Sequence, residues 1–343
     1  MSLPSRHVVI GNGVAGCAAA VKLRELDPKS QVTIVSGGAL LFYNRYDLPN
    51  VFRGQHQWVD FLVHPPAFYE ENRINVRRKT FVTEVDAANR QIYLDHREVI
   101  SYDKLLVATG GAGYLPERLL ENRDLMLGFN NFRVAMQVHE ALPDGGHVIM
   151  LGGDTLGLDL ARTLVGTGHR VTLVAGERTF WPHVVADDDM DKYLAAVEAL
   201  GITVVNGSHA QEIRGRTRGQ PARTVLLGDG RKIEGDVVMP FYGLSPMVDF
   251  MSSSGVDLER GILVDKGLKT TNDWIWASGD VCQIWSDETK GYRFYYGWKN
   301  VKKMGETAAH NMTGGNAEFS SDVDETLNVD GEGRLHSPFW EHD

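Results

Sequence analysis

From Arg6 to Ser36 the chain reads RHVVIGNGVAGCAAAVKLRELDPKSQVTIVS, and this stretch carries the strongest fold signal in the sequence. A short apolar run predicts a buried strand, which enters a turn where Gly11, Gly13 and Gly16 have the spacing G-x-G-x-x-G. A helix rich in small residues and a second apolar strand follow. In such a turn the glycines permit the bend, the approach of backbone N–H groups to a pyrophosphate, and close helix–strand packing. The stretch therefore predicts a dinucleotide site at a helix N-terminus.

One position departs from this pattern. An acid is expected about twenty residues after the glycines, where it binds the ribose hydroxyls. Ser36 occupies that place here. A serine hydroxyl can still bond to ribose, although more weakly than a carboxylate.

Length, charge and cysteine content narrow the class of protein. The chain has 343 residues, enough for two domains, and its net charge of −10 argues against nucleic acid as the main partner. The two cysteines, Cys17 and Cys282, are far apart in sequence, which argues against a metal cluster, a zinc site or an adjacent redox disulfide. No signal-peptide pattern and no membrane-length apolar run is present, so the expected location is the cytoplasm.

The opening pattern recurs at 147–174, HVIMLGGDTLGLDLARTLVGTGHRVTLV, and a repeat of this kind predicts a second nucleotide-binding lobe. Its fingerprint positions are Gly152, Asp154 and Gly157. A carboxylate at the middle position repels a phosphate if it points at the ligand. If it turns back, it caps its own helix and binding survives in weaker form. Both orientations of Asp154 remain open from sequence.

Between and after the two repeats, the sequence predicts secondary structure by segment. We expect helical segments at 56–72, 131–142 and about 298–311, and an antiparallel sheet over 202–239. After residue 314 the chain is acidic and glycine-containing, which is poor core material. The apolar residues 338–340, Pro-Phe-Trp, are expected to dock onto a partner.

Five ordered motifs now identify a family. They are GNGVAG (11–16), FYNRYDLPN (42–50), YDKLLVATG (102–110), GGDTLGLDLA (152–161), and WASGDVC (276–282) followed by WKNVKKMGETAAHNMTG (298–314). Over roughly residues 6 to 314 the chain resembles the FAD/NAD(P)-dependent pyridine nucleotide oxidoreductases. It is nearest their rubredoxin reductase, ferredoxin reductase and nitrite reductase NADH-subunit branch.

The resemblance implies an α/β fold with two Rossmann-like dinucleotide-binding domains of the three-layer ββα type. The FAD domain is discontinuous in sequence, at 1–112 and 240–314, and encloses an NAD(P)-binding-like domain at 113–239. An acidic C-terminal tail, 315–343, follows. The family usually carries a further domain after the helix that begins at Trp298, and this acidic segment stands there instead.

The resemblance also implies roles for single residues. The expected FAD contacts are Gly11, Gly13, Gly16, Ser36, Tyr43, Arg45, Val82, Thr109, Gly110, Asp280 and Trp298. The expected NAD(P) contacts are Gly152, Gly153, Asp154, Gly157, Asp159, Glu177 and Arg178. Ala175 holds the usual ribose-acid position, so the choice between NAD(H) and NADP(H) stays open with a slight preference for NADH.

The flavin is expected to carry out the reaction, and no side chain is identified as catalytic. Tyr46 and Trp298 are expected to lie near the flavin. Thiol chemistry is not expected, because the loop that carries a cysteine in disulfide reductases has Tyr46 and Asp47. The sequence favours an oxidoreductase that passes electrons between NAD(P)H and an iron–sulfur or similar protein, as a subunit of a complex. Two alternatives remain: a flavin oxidase or quinone reductase, and an FAD electron-transfer subunit with a degenerate nicotinamide site.

Overall fold

The computed structural model describes residues 4–215, 223–321 and 327–337. The α-helices of these residues are α1 (Val14–Leu26), α2 (Pro66–Glu71), α3 (Phe132–Ala141), α4 (Thr155–Gly166), α5 (Asp187–Glu198) and α6 (Trp298–Met312). Short 3-10 helices lie at Leu48–Arg53, Trp58–Phe61, Glu117–Leu125 and Asp249–Met251. The expected helices at 131–142 and 298–311 are thus present as α3 and α6. The region 56–72 contains only one 3-10 turn and α2.

The strands up to residue 152 are β1 (Arg6–Ile10), β2 (Gln31–Val35), β3 (Ile74–Arg77), β4 (Val82–Asp86), β5 (Gln91–Leu94), β6 (Val99–Ser101), β7 (Lys104–Val107), β8 (Gly111–Gly113) and β9 (His147–Gly152). The next are β10 (Arg170–Ala175), β11 (Thr203–Val205), β12 (Ala210–Gly215), β13 (Arg223–Leu227), β14 (Lys232–Gly235), β15 (Val237–Phe241) and β16 (Leu244–Pro246). The last are β17 (Ile262–Val264), β18 (Ile275–Ala277), β19 (Cys282–Ser286), β20 (Gly291–Arg293), β21 (Asn328–Val329) and β22 (Leu335–His336).

The chain divides into two compact units. The first comprises the described residues of Met1–Tyr43, Leu62–Ala112 and Ser245–Asp322. The second comprises those of Asn44–Phe61, Gly113–Leu244 and Val323–Asp343. Three segments therefore fall differently from the bounds expected from sequence. Residues 44–61 and 240–244 group with the second unit, and the segment after 314 is shared between both units.

The first unit is built on a parallel sheet with the order β18-β7-β1-β2-β3. In its register Ile10 pairs with Val35 on one side and with Val107 on the other. Helix α1 crosses α6 so closely that a Cβ built at Gly305 would lie 2.3 Å from the carbonyl oxygen of Ala15. The small residues of α1 therefore allow close packing against α6, in addition to close packing at the glycine turn.

The second unit contains a four-stranded parallel sheet with the order β11-β10-β9-β15. Gly152, at the end of β9, pairs with Ala175 of β10 and with Phe241 of β15. Strands β12, β13 and β14 form a separate antiparallel sheet. The expectation of one antiparallel sheet over 202–239 is therefore wrong at both ends, because β11 and β15 pair in parallel with β10 and β9.

The segment after residue 314 is structured where it is described. Phe319 is buried in the core of the first unit. Strands β21 and β22 form a hairpin whose residues Leu327, Val329 and Leu335 are buried in a core of the second unit. The expectation that this composition is poor core material is wrong for these residues, because their apolar side chains pack into the two cores. The expected docking residues 338–340 lie outside the described residues.

Candidate nucleotide sites

The carboxyl ends of the first unit's strands bring four sequence motifs to one edge. Because Ile10 pairs with Val35 and Val107, and Val107 also pairs with Ala277, the residues that follow these strands emerge side by side. These residues are Gly11, Ser36, Ala108 and Ser278. In an open parallel sheet, this edge is where ligands bind.

The three glycines of the first turn differ in what surrounds them. Gly11 has φ +113°, and a Cβ built there would lie 2.1 Å from the carbonyl oxygen of Ala108. A Cβ at Gly16 would lie 2.1 Å from the carbonyl oxygen of Gly11. A Cβ at Gly13 meets nothing within 4 Å, and no side chain caps the helix that follows. Gly11 and Gly16 are therefore required by packing, whereas Gly13 faces open space at a helix N-terminus.

Two buried polar side chains at this edge have no hydrogen-bond partner within the described protein. Both the Oδ1 and the Nδ2 atoms of Asn12 are buried without a partner, and so is the Oγ atom of Ser278. Such groups cost about 1–3 kcal/mol each when left unsatisfied. Asn12 lies within the glycine turn, and Ser278 directly precedes Gly279 and Asp280. These orphaned atoms and the open Gly13 fit a polar ligand of the dinucleotide type at this edge.

The other residues expected to bind FAD differ in their contacts and in the unit to which they belong. Ser36 Oγ accepts a hydrogen bond from the Gly38 N–H at 3.2 Å, and Thr109 Oγ1 donates to the Met247 carbonyl at 3.0 Å. Trp298, at the start of α6, stacks on Phe42 with ring centroids 5.8 Å apart. The remaining first-unit residues expected to bind FAD are Tyr43, Val82, Gly110 and Asp280, whereas Arg45, like Tyr46, belongs to the second unit.

Neither cysteine is placed for thiol chemistry. Cys17 and Cys282 are both buried in the first unit. Burial raises the pKa of the Cys17 thiol to about 11, and burial also raises the pKa of the Cys282 thiol well above its usual range. Because the thiolate is the reactive form, both groups are inert near neutral pH.

The carboxylate of Asp154 in the second unit is turned inward and bonded within the protein. Its Oδ1 accepts a hydrogen bond from the Gly157 N–H at 2.8 Å, which caps α4, and its Oδ2 accepts one from the Gly243 N–H at 2.8 Å. The side chain is buried, and this burial raises the pKa of the carboxyl group to about 6. Of the two orientations open from sequence, the inward one is observed. The capping explains it, because a helix N-terminus holds four N–H groups without helical partners.

The second turn differs from the first in the use of its N–H groups. Gly153 and Asp154 both donate to the carbonyl of Phe241, at 2.8 and 3.0 Å. Thr155, the first residue of α4, donates to the carbonyl of Trp181 at 3.0 Å. The donors that a dinucleotide turn offers to a pyrophosphate are thus bonded within the protein here. Sequence reasoning missed this, because Trp181 and Phe241 lie far along the chain.

The residues after β10 point in different directions. Glu177 forms an ion pair with Arg118 at 2.7 Å. Arg178 instead lies over the ring of Tyr114, 4.4 Å from its centroid, and donates to the Leu244 carbonyl at 3.2 Å. The two neighbouring residues expected to contact NAD(P) therefore have different partners, and Arg118 was missed because nothing local in the sequence connects it with Glu177. Asp159 lies in α4, half-buried.

A glycine turn at the carboxyl edge of a parallel sheet in each of two units defines a protein built to bind two dinucleotides. The family model for the pyridine nucleotide-disulphide oxidoreductases matches residues 5–310. The chain belongs to this family, which confirms the predicted family and fold class. It is an FAD-dependent NAD(P)H oxidoreductase, with FAD and a nicotinamide nucleotide as its cofactors.

Individual relatives agree with this assignment. The chain is 28% identical over 279 residues to the nitric oxide reductase FlRd-NAD(+) reductase of Escherichia coli strain K12, covering 81% of this chain and 72% of that protein. The protein of the same name from Shigella boydii serotype 4 matches to the same extent.

Two solved structures share the fold. Putidaredoxin reductase, in its covalent complex with putidaredoxin, has a TM-score of 0.83 at 20% identity and covers 94% of this chain and 78% of its own. The ferredoxin reductase for the CYP199A2 system of Rhodopseudomonas palustris has a TM-score of 0.82 at 23% identity, with coverages of 92% and 78%. Among the described residues, no helix is both long and apolar enough to cross a membrane.

Proposed function

We propose that this protein passes electrons from NAD(P)H through FAD to a protein acceptor of the iron–sulfur type, as a subunit of an electron-transfer complex in the cytoplasm. The observation that carries the proposal is the sheet edge of the first unit, where Gly13 is open and the polar atoms of Asn12 and Ser278 have no partner. The described part of that unit contains no reactive thiol. An FAD-dependent enzyme without a thiol relay must hand electrons from the flavin directly outward. A protein acceptor is supported by one of the similar structures, putidaredoxin reductase, which is solved in a covalent complex with putidaredoxin.

The residues of the first unit have distinct tasks in this proposal. When bound, the flavin supplies the conversion of a hydride into electrons that leave one at a time. Gly13 and the N-terminus of α1 bind the pyrophosphate, and the orphaned side chains of Asn12 and Ser278 gain the partners that they lack in the protein alone. Asp280 binds the polar chain of the flavin, and the stacked pair of Phe42 and Trp298 excludes water.

The experiment is an anaerobic titration of the purified protein. We expect a yellow protein with about one FAD, whose flavin absorbance bleaches with NADH or NADPH and recovers faster with an iron–sulfur protein than with oxygen. Asn12→Ala and Ser278→Ala should each lower FAD affinity without unfolding the first unit, because they remove polar groups that bond only to the ligand. A colourless, folded protein that does not bind added FAD contradicts the proposal. Recovery only with oxygen or quinone favours an oxidase or quinone reductase.

One observation favours an alternative, an FAD electron-transfer subunit with a degenerate nicotinamide site. The N–H groups of Gly153, Asp154 and Thr155 are bonded to protein carbonyls, so a pyrophosphate must displace these bonds to use them. This alternative predicts a flavin that is reduced by dithionite or by a reduced protein, and by neither nicotinamide nucleotide.

A further inference from the structure

A cavity lies at the end of α4 in the second unit. It has a volume of about 480 Å³ and is lined by Arg53, by residues 162–163 and 165–167 at the end of α4, and by Leu200. Helix α4 starts after the glycine turn of β9, and its 12 residues make it about 18 Å long. The chain then enters β10 at Arg170, which pairs with His147 at the amino end of β9. The cavity therefore lies toward the amino edge of the parallel sheet, away from the edge that carries the glycine turn.

Two arginine side chains from separate segments supply positive charge to this cavity. Arg53 ends the 3-10 helix Leu48–Arg53, and Arg162 lies near the end of α4. The guanidinium of Arg53 is held against α4, because Nη1 donates to Asn50 Oδ1 at 2.9 Å and Nη2 donates to Thr163 Oγ1 at 3.4 Å. A guanidinium carries five N–H donors, so one that is bonded within the protein can still donate to a ligand. Among the described residues that line the cavity, these two are positive and none is acidic, in a chain with a net charge of −10.

The residue before Arg53 fixes its segment to the second unit. The ring of Phe52 lies edge-on to His139 and His169, with centroids 5.7 and 6.1 Å away, and stacks on Phe129 at 6.3 Å. Arg53 therefore projects from an anchored helix. A ligand that binds it does not have to order the segment that carries it, which lowers the cost of binding.

Two negative features near the cavity oppose an anion. The C-terminal end of a helix carries about half a negative charge. In α4 this end is partly satisfied, because Thr167 donates through both its N–H and its Oγ1 to the carbonyls of Thr163 and Leu164. Asp159 lies one turn earlier on α4, outside the cavity lining. The two full positive charges in the lining exceed these opposing charges.

We infer that this cavity binds a small dianion of the phosphate class, with Arg53 and Arg162 as donors. A phosphate group carries about −1.5 to −2 charges near neutral pH, which matches two guanidinium groups. The planar fork of a guanidinium binds phosphate oxygens in pairs. The volume falls within the range of about 300–1,000 Å³ typical of sites for small organic ligands. Val165 and Leu200 in the lining fit the apolar part of a phosphate monoester.

The test is calorimetric titration of the full-length protein with inorganic phosphate, at an ionic strength kept constant with sodium chloride. We expect saturable binding with a dissociation constant of about 1 mM or lower. Arg53→Gln and Arg162→Gln should each weaken it at least about tenfold, since each removes a charged donor. Arg162→Lys should keep part of the affinity, because the charge remains and the fork is lost.

Phenyl phosphate, as a second probe, distinguishes two sources of the same chemistry. Tighter binding than that of inorganic phosphate assigns the site to a phosphate monoester whose organic part contacts Val165 and Leu200. Equal or weaker binding assigns the site to the inorganic ion. Either result supports the site only if the two arginine replacements weaken it.

The matched control is Arg123→Gln, which changes the net charge by the same amount. Arg123 is exposed in the same unit and does not line the cavity, so phosphate affinity should stay unchanged. Saturating NAD+ should also leave it unchanged, because the glycine turn lies at the other end of α4. The inference is overturned if phosphate shows no saturable binding, or if NAD+ abolishes the binding. It is equally overturned if Arg53→Gln and Arg162→Gln weaken binding no more than Arg123→Gln does. None of these outcomes depends on electron transfer, so the proposed function is tested separately.

Discussion

The replacement Asp154→Asn tests the most unusual feature of the second unit. Asp154 stands where the fingerprint has a glycine, and its buried carboxylate joins the N–H groups of Gly157 and Gly243. An asparagine has one acceptor oxygen, so it can keep one of these bonds and must set its NH₂ group against the other N–H. We expect a constant loss of about 1–3 kcal/mol of stability from this mismatch.

The informative effect is the dependence on pH. The folded state raises the pKa of Asp154 from 3.8 to about 6, mainly by burial. The unfolded chain therefore ionises first, and as pH rises from about 4 to 6 ionisation favours the unfolded state. At about 1.4 kcal/mol for each pKa unit, the wild type should lose about 3 kcal/mol relative to Asp154→Asn over this interval, with no further change above about pH 7.

The assay is urea unfolding at a series of pH values, followed by the fluorescence of the tryptophans, which include Trp181 beside the turn. Asp236→Asn is the matched control, because Asp236 also accepts a backbone N–H, from His147 at 2.8 Å, but is only half-buried. If the stability difference between wild type and Asp154→Asn does not change between pH 4 and 7, the carboxylate is not desolvated. The inward orientation is then refuted.

Three further predictions concern other parts of the chain. Gly13→Ala should fold normally, since the added Cβ meets no atom within 4 Å, but should lower the flavin content measured by absorbance. The double variant Cys17→Ser/Cys282→Ser, if folded, should keep electron transfer to an artificial acceptor, because both thiols are inert; loss of flavin reoxidation alone would reinstate thiol chemistry. Deletion of 322–343 should destabilise the second unit by about 5 kcal/mol, read as a lower thermal midpoint, since three buried apolar side chains are lost.

The features that sequence predicted are local ones. The strand, glycine turn, helix and second strand of each unit occupy about thirty residues, and their spacing is a direct consequence of how a backbone passes close to a phosphate. Gly11 and Gly16 could be assigned for this reason, and the structure shows the close contacts that require them. The fold class and the family were predicted from the order of such local motifs along the chain.

The features that sequence did not predict depend on distant partners. Asp154 faces inward because Gly243, 89 residues later, supplies a donor. Glu177 is paired with Arg118, which it meets only in the folded second unit. Arg178, expected as a contact of NAD(P), lies over the ring of Tyr114. Charge and spacing along the chain cannot distinguish two neighbouring residues whose partners come from different segments.

The acidic segment after residue 314 shows how composition alone misleads. In the described hairpin, Asp330 Oδ1 accepts hydrogen bonds from the N–H groups of Glu332 and Arg334, and Oδ2 pairs with His336 Nε2 at 2.8 Å. These bonds lower the pKa of the half-buried Asp330 carboxyl to about 2, with the His336 bond the largest contribution. An acid used in this way closes a turn and does not keep a chain unfolded.

The hairpin so closed is then held by backbone acceptors as well as by apolar burial. Lys192 Nζ donates to the Val329 carbonyl at 3.1 Å, and Tyr193 Oη donates to the Leu327 carbonyl at 3.4 Å, both from α5. Acids that satisfy their own turn leave the apolar residues between them free to pack. The hairpin therefore belongs to the second unit's core, and a loss of partner binding on deleting it must be separated from a loss of that unit's stability.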